Sequence, residues 1–201
     1  MPLTAEDRLV IQAAIELGGN IWENDLLKDI KRKIKDHCLT TTSYQCCYCR
    51  TDFTDEFRMV MDIEHILPKS IFSDFMFDVF NLSVSCKRCN MRIKKERTDF
   101  LQDINQVRLS PIDPDQYLIS HPNLEDYFQH CEYFSSTHNG KKYIKYVPLT
   151  DKGVFTYTYF ELERKEIECL SENQGVRIAE NEISENIPID LTNEIRQLLN
   201  R

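Results

Sequence analysis

Hydrophobic positions recur at helical spacing through the first forty residues. Leu9, Val10, Ala13, Ala14 and Leu17 fall three and four apart, which puts them on one face of a 3.6-residue repeat. Thr4 stands where such a helix is capped, and Gly18-Gly19 where it ends. Leu26, Leu27, Ile30 and Ile34 make the apolar side of a second helix, and Lys28, Lys31, Arg32, Lys33 and Lys35 its other side. That basic side is either solvated or a phosphate-binding surface. Residues 39–44, rich in Thr and Ser, read as a loop. The period then changes: residues 57–63 predict a strand that runs into Glu64-His65 and stops before Pro68. A Phe-rich loop leads to a second short strand over 81–85, and a basic helix follows from Arg88. The order is strand, strand, helix. Farther on, residues 110–115 form a turn-rich join, 142–147 and 154–160 read as a hairpin turning through Asp151-Lys152-Gly153, and 161–171 and 190–199 read as helices.

Composition narrows the class. A chain of 201 residues with 41% hydrophobic residues, 5 Gly and 7 Pro can bury a core and is neither fibrous nor disordered. It has no apolar run of the roughly 18 residues a membrane helix needs, and acidic residues follow Met1 where a signal peptide carries basic ones. The expectation is a cytoplasmic protein with no membrane contact. The net charge of -8 argues against a generic nucleic-acid coat. Residues 1–100, however, hold 15 basic and 16 acidic side chains, against 10 and 17 in residues 101–201. The acidity lies in the second half.

Eight cysteines in a reducing compartment are poorly explained as disulfides. Cys46 and Cys49 make one C-x-x-C pair, and Cys86 and Cys89 another, with 36 residues between the pairs. Two such knuckles supply four thiolates to one structural, tetrahedral Zn²⁺. Cys47 lies inside the first knuckle but is left out, because adjacent cysteines rarely reach one metal. Cys38, Cys131 and Cys169 read as core residues.

Between and beside the cysteine pairs stand Asp62-Ile63-Glu64-His65-Ile66-Leu67-Pro68-Lys69-Ser70, then Asn81-Leu82, then Cys86-Lys87-Arg88-Cys89-Asn90. Over residues 46–95 this resembles the zinc-bearing branch of the HNH endonucleases. That resemblance implies an α+β fold: a zinc-stabilised ββα-metal core over 41–110, an N-terminal helical segment over 1–40, and an α/β C-terminal extension over 111–201. It also implies hydrolysis of phosphodiester bonds. His65 would be the general base, since imidazole is the side chain whose pKa suits removing a proton from water near neutrality. Glu64 and Asn90 would hold a catalytic Mg²⁺ or Mn²⁺, with Asp62 as the alternative ligand, and Asn81 would fix the loop and the base. The departures from the family pattern are Glu64, where Asp is frequent, and Asn90, where His is frequent. Lys69, Lys87, Arg88, Arg92, Lys94 and Lys95 would contact nucleic acid; residues 86–97 carry a net charge of +5.

The tail segments Pro111-Ile112-Asp113-Pro114, Asn123-Leu124-Glu125-Asp126-Tyr127-Phe128 and Gly153-Val154-Phe155-Thr156-Tyr157-Thr158 are similar to those of small bacterial HNH nucleases of anti-phage defence, the Septu-type and retron-associated kinds. There the nuclease works with an ATPase of ABC/SMC-like type, and the acidic second half would be the docking surface. DNA is the expected substrate. RNA such as tRNA, or a non-catalytic zinc-stabilised binding or interaction subunit, are the alternatives.

Overall fold

Thr4 opens the first helix, α1 (Ala5–Leu17), through a reciprocal capping box: Asp7 N–H donates to Thr4 Oγ1 at 3.1 Å, and Thr4 N–H donates to Asp7 Oδ2 at 3.0 Å. Gly18, at a left-handed φ of 71°, ends it. The computed structural model describes residues 3–54, 56–138 and 141–166. The buried face of α1 is not the expected one. Asp7, Ile11 and Ala14 point inward, while Leu9 and Leu17 are exposed. The cause is Asp7: Lys33 on the next helix takes its carboxylate at 2.8 Å, which rotates the face toward that contact.

The second helix, α2 (Lys28–Thr41), buries Ile30, Ile34, Cys38 and Leu39, whereas Leu26 before it is exposed. It takes in the first three residues, 39–41, of the segment expected to be a loop, and residues 42–44 turn as expected. Thr40 and Thr42 return their hydroxyls to carbonyls four residues back, at 3.0 and 2.9 Å, and Thr41 to one three back. This keeps the last turn wound until Ser43 and Tyr44, both at positive φ, reverse the chain.

Strands β1 (Met61–His65) and β2 (Leu82–Cys86) pair antiparallel, with Met61 opposite Cys86 and His65 opposite Leu82. The first strand starts later than expected because residues 58–60 turn in a short 3-10 helix. α2 packs on this hairpin, Lys35 Nζ giving a hydrogen bond to the Met61 carbonyl at 2.7 Å. Next comes Arg88–Lys94, wound with the wide i→i+5 turns of a π helix and closed by Lys95 N–H on the Asn90 carbonyl at 2.7 Å.

The remainder is α3 (Ile104–Leu109), α4 (Tyr127–His130), the antiparallel pair β3 (Cys131–His138) and β4 (Lys141–Pro148), and α5 (Asp151–Tyr159), followed by helical residues 162–166. Two small antiparallel sheets among helices make the chain α+β. Residues 154–160 are a helix, so the strand expected there is corrected; β4 pairs with β3 instead. Local bonds override the aromatic and β-branched alternation of that stretch. Thr150 caps the helix through Gly153 N–H at 3.2 Å, and Thr156 Oγ1 donates to the Lys152 carbonyl at 2.7 Å. The second half closes on the first: the Tyr146 hydroxyl donates to the Cys49 carbonyl at 2.6 Å, and the Phe160 ring stacks on Tyr48 with centroids 4.1 Å apart. Cys38 and Cys131 are buried in the shared core as expected. Cys169 and the expected helix over 190–199 lie outside the described residues.

Gly153 tests this packing, because a Cβ there would sit 1.8 Å from the His130 carbonyl oxygen. Gly153→Ala is expected to lower unfolding stability by about 2 kcal/mol or more despite its better helix propensity. Urea midpoints of the two proteins measure it; equal midpoints would show that α5 does not pack as described.

Candidate functional site

The first knuckle is a tight turn tied to β2. Cys46 N–H donates to the Thr51 carbonyl at 2.9 Å, Arg50 N–H to the Cys46 carbonyl at 3.0 Å, and Cys47 N–H to the Val84 carbonyl at 3.0 Å. The second knuckle begins at the end of β2 and continues into the π helix. The four sulfurs of Cys46, Cys49, Cys86 and Cys89 all come within 4.8 Å of one another, and those of Cys49 and Cys86 lie 3.7 Å apart. Tetrahedral zinc with bonds of about 2.3 Å needs sulfurs roughly 3.8 Å apart, so the cluster is compatible with a structural zinc. Hydrogen bonds from the neighbouring cysteines hold the Cys49 thiol well below its ordinary pKa, while burial pushes Cys46 up. The Cys47 sulfur stays out of the cluster.

Glu64 points into the protein and is 1% exposed. Its Oε1 accepts from Tyr48 OH at 3.1 Å and pairs with Lys94 Nζ at 2.8 Å, and its Oε2 accepts from Ser85 Oγ at 3.2 Å. Lys94, 2% exposed, also donates to the His65 carbonyl at 2.8 Å. The expectation that Lys94 meets phosphate is therefore corrected: the wide turn of the π helix carries it inward onto Glu64. Tyr48 and Ser85 were not singled out by sequence. Their only signal was position, one inside the first knuckle and the other across the hairpin.

His65, at the end of β1, faces a different neighbourhood. Its Nε2 lies 3.1 Å from the Met76 carbonyl, and its ring stands edge-on to Trp22 with centroids 4.3 Å apart. A carbonyl only accepts, so Nε2 carries the hydrogen. Burial first, then the charges of Lys69 and Lys94, push the pKa down to about 4. The ring is thus neutral near pH 7, and its lone pair is on Nδ1. Among the described residues that atom makes no hydrogen bond, and the His65 side chain as a whole is buried. Asn81, fully buried, clamps the intervening loop: its Oδ1 accepts from Leu67 N–H at 2.6 Å, and its Nδ2 donates to the Leu67 and Phe75 carbonyls.

A divalent cation needs open oxygens. Both Glu64 oxygens are engaged and buried, so neither is open to a metal. The residues as arranged do not fit Mg²⁺ or Mn²⁺ between Glu64 and Asn90. Asp62 keeps the more open carboxylate, half-buried and bonded to Lys87 at 3.0 Å. The basic residues divide similarly. Arg88 donates to the carbonyls of Phe160 and Glu161, and Arg92 pairs with Glu161 at 3.3 Å. Among the described residues Lys69 and Lys95 make no ion pair.

Part of the chain is similar to a curated protein described as Septu protein PtuB, from Bacillus thuringiensis: 31% identical over 88 residues, which are 44% of this chain and 31% of that protein. The chain therefore matches about a third of that relative's length. No family model matches the chain. No solved structure matches it either. No helix among the described residues is long and apolar enough to cross a membrane.

Elemental analysis of the purified protein is expected to give about one zinc per chain, and Cys86→Ser to lose both the metal and the cooperative thermal transition. Folded protein without zinc would refute the four-cysteine centre. Lys94→Met, which strands the Glu64 carboxylate, is expected to cost about 3–5 kcal/mol in denaturant unfolding.

Proposed function

We propose that the chain hydrolyses phosphodiester bonds of nucleic acid, DNA before RNA, as the HNH-type subunit of an anti-phage defence assembly with an ATPase partner. The observation that carries the reading is the placement of His65, an imidazole at a strand end anchored through Nε2–H to the Met76 carbonyl, which leaves Nδ1 as the basic atom. Its support is the setting, an antiparallel hairpin followed by a helix, with Asn81 clamping the loop and a zinc-compatible centre at the base. The defence assignment is supported by the similarity to the Septu protein. Water bound beside Nδ1 would give up a proton to the ring as its oxygen attacks phosphorus. The P–O3′ bond breaks, and the departing oxygen is protonated from solvent. Lys69, whose charge lowers the basicity of His65, would be the cation that meets the phosphate. No step is assigned to a divalent cation.

A second reading, a non-catalytic zinc-stabilised binding or interaction subunit, is favoured by the closed Glu64–Lys94 pair. Cleavage separates the two. Full-length protein, alone and with any co-purifying partner, is incubated with duplex DNA, single strands and RNA, with Mg²⁺, with Mn²⁺ and without either. Cutting by the wild type and a loss of about 100-fold or more in His65→Ala with zinc retained is the expected outcome. Equal rates in the two proteins would remove His65 from the chemistry, and no cutting in any arm would leave the second reading.

A further inference from the structure

Three guanidinium groups converge on a single carboxylate oxygen beside the π helix. Glu161 Oε2 lies 3.0 Å from Arg164 Nη1, 3.3 Å from Arg92 Nη2 and 3.7 Å from Arg88 Nη2. The arginines come from two segments far apart in sequence, so helical periodicity alone does not explain the meeting. Arg88 is held rigidly: Nη1 donates to the Phe160 carbonyl at 2.9 Å and Nη2 to the Glu161 carbonyl at 2.8 Å, while its buried Nε has no partner. Glu161 sits at a φ of 50°, the left-handed position that follows the cap of α5, with its N–H on the Thr158 carbonyl at 3.1 Å. Arg92, Arg164 and Glu161 are open to water, their side chains 53%, 56% and 39% exposed, whereas that of Arg88 is 18% exposed.

A planar, always-charged fork is the side chain suited to phosphate oxygens, and a phosphodiester offers the same charge and the same pair of acceptor oxygens as a carboxylate. We propose that Arg88, Arg92 and Arg164 form a seat for one backbone phosphate of a nucleic acid, and that the Glu161 carboxylate holds that seat until the nucleic acid displaces it. This rests on the reading of the chain as a nucleic-acid hydrolase and adds a contact to it. Arg88 and Arg92 are four apart on the π helix, as are Asn90 and Lys94, and the two pairs are set off by two residues, which places them on opposite sides. Lys94 reaches the His65 carbonyl. A helix with its side chains is about 10 Å across, so the seated phosphate is a neighbour of the scissile one and not the scissile one itself. Exposed ion pairs are individually weak, and exchange of carboxylate for phosphate is therefore easy.

The test is binding, read without cleavage. Fluorescently labelled duplex DNA and single-stranded RNA are titrated by anisotropy with the full chain, without added divalent cation, across about 50 to 200 mM salt. Glu161→Gln is expected to tighten binding about threefold by removing the competing anion. Arg164→Gln and Arg92→Gln are each expected to weaken it, and the two together to reduce the slope of log K against log salt on duplex by up to about 0.9, the share of one phosphate. Both are surface substitutions; zinc content and circular dichroism confirm the fold of each variant. Tightening with duplex alone assigns the seat to DNA, and with RNA alone to an RNA strand. Glu161→Gln binding both no tighter than wild type, or the double arginine variant keeping the wild-type slope, overturns the proposal. A chain that shows these binding changes but never cuts keeps the seat and loses the hydrolase; one that cuts while Glu161→Gln leaves affinity unchanged does the reverse.

Discussion

The buried carboxylate of Glu64 is the constraint to which the first half of the structure is tied. An ion removed from water is tolerated only when its partners satisfy it completely. Here the partners come from three other segments: Tyr48 from the first knuckle, Ser85 from β2 and Lys94 from the π helix. The four cysteines join the same pieces, Cys46 and Cys49 from the first knuckle, and Cys86 and Cys89 from the end of β2 and the start of the helix. One cross-link is ionic; the other is a sulfur cluster compatible with a structural zinc. Together they over-determine the hairpin, and the strand end carrying His65 has little freedom left. Asn81 completes the frame from the loop side through backbone atoms of Leu67 and Phe75.

Two carboxylates of the acidic second half, Glu125 and Glu166, work inside the molecule. Glu166 takes Lys145 at 3.0 Å and the Tyr146 N–H at 2.6 Å, fixing the strand whose tyrosine reaches the first knuckle. Glu125 takes Lys152 at 2.7 Å and the His121 N–H at 2.9 Å, fixing α5 against the segment before α4. Negative charge in this half is therefore partly a packing device. Its count alone does not define a docking surface.

The sequence was most legible where chemistry depends on short spacing. The two C-x-x-C pairs, the hairpin between them and the Thr4 and Gly18 boundaries of α1 are set by residues within a few positions of one another. What escaped depends on distant partners. The buried face of α1 turns on Lys33, which is 26 residues away from Asp7. Residues 154–160 alternate like a strand, yet Thr150 caps them as a helix, and the strand that belongs beside β4 precedes it in sequence. Lys94 reads as one more cation in a basic run, and only the fold reveals that a carboxylate 30 residues earlier claims it. Within the candidate site the identity of His65 and Asn81 was readable; the tautomer, the Met76 anchor and the closure of Glu64 were not, because each rests on a contact through space.

The basic run itself changes meaning once these contacts are counted. Residues 86–97 carry a net charge of +5 in sequence, but almost every cation in it has an anion from elsewhere: Asp62 for Lys87, Glu161 for Arg88 and Arg92, Glu64 for Lys94 and Asp99 for Arg97. The field that would steer a polyanion to this face is correspondingly reduced, since paired charges cancel beyond a Debye length. The pairs are not equivalent. Glu64–Lys94 is sealed and has no access to ligand, whereas the pairs at Asp62, Asp99 and Glu161 are exposed enough to exchange. If the proposed nucleic-acid contact lies on this face, association there would be an exchange of carboxylates for phosphates rather than capture by free charge. The wide turn of the π helix divides the two kinds of pair, directing Lys94 to the hairpin and Arg88 and Arg92 to the end of α5.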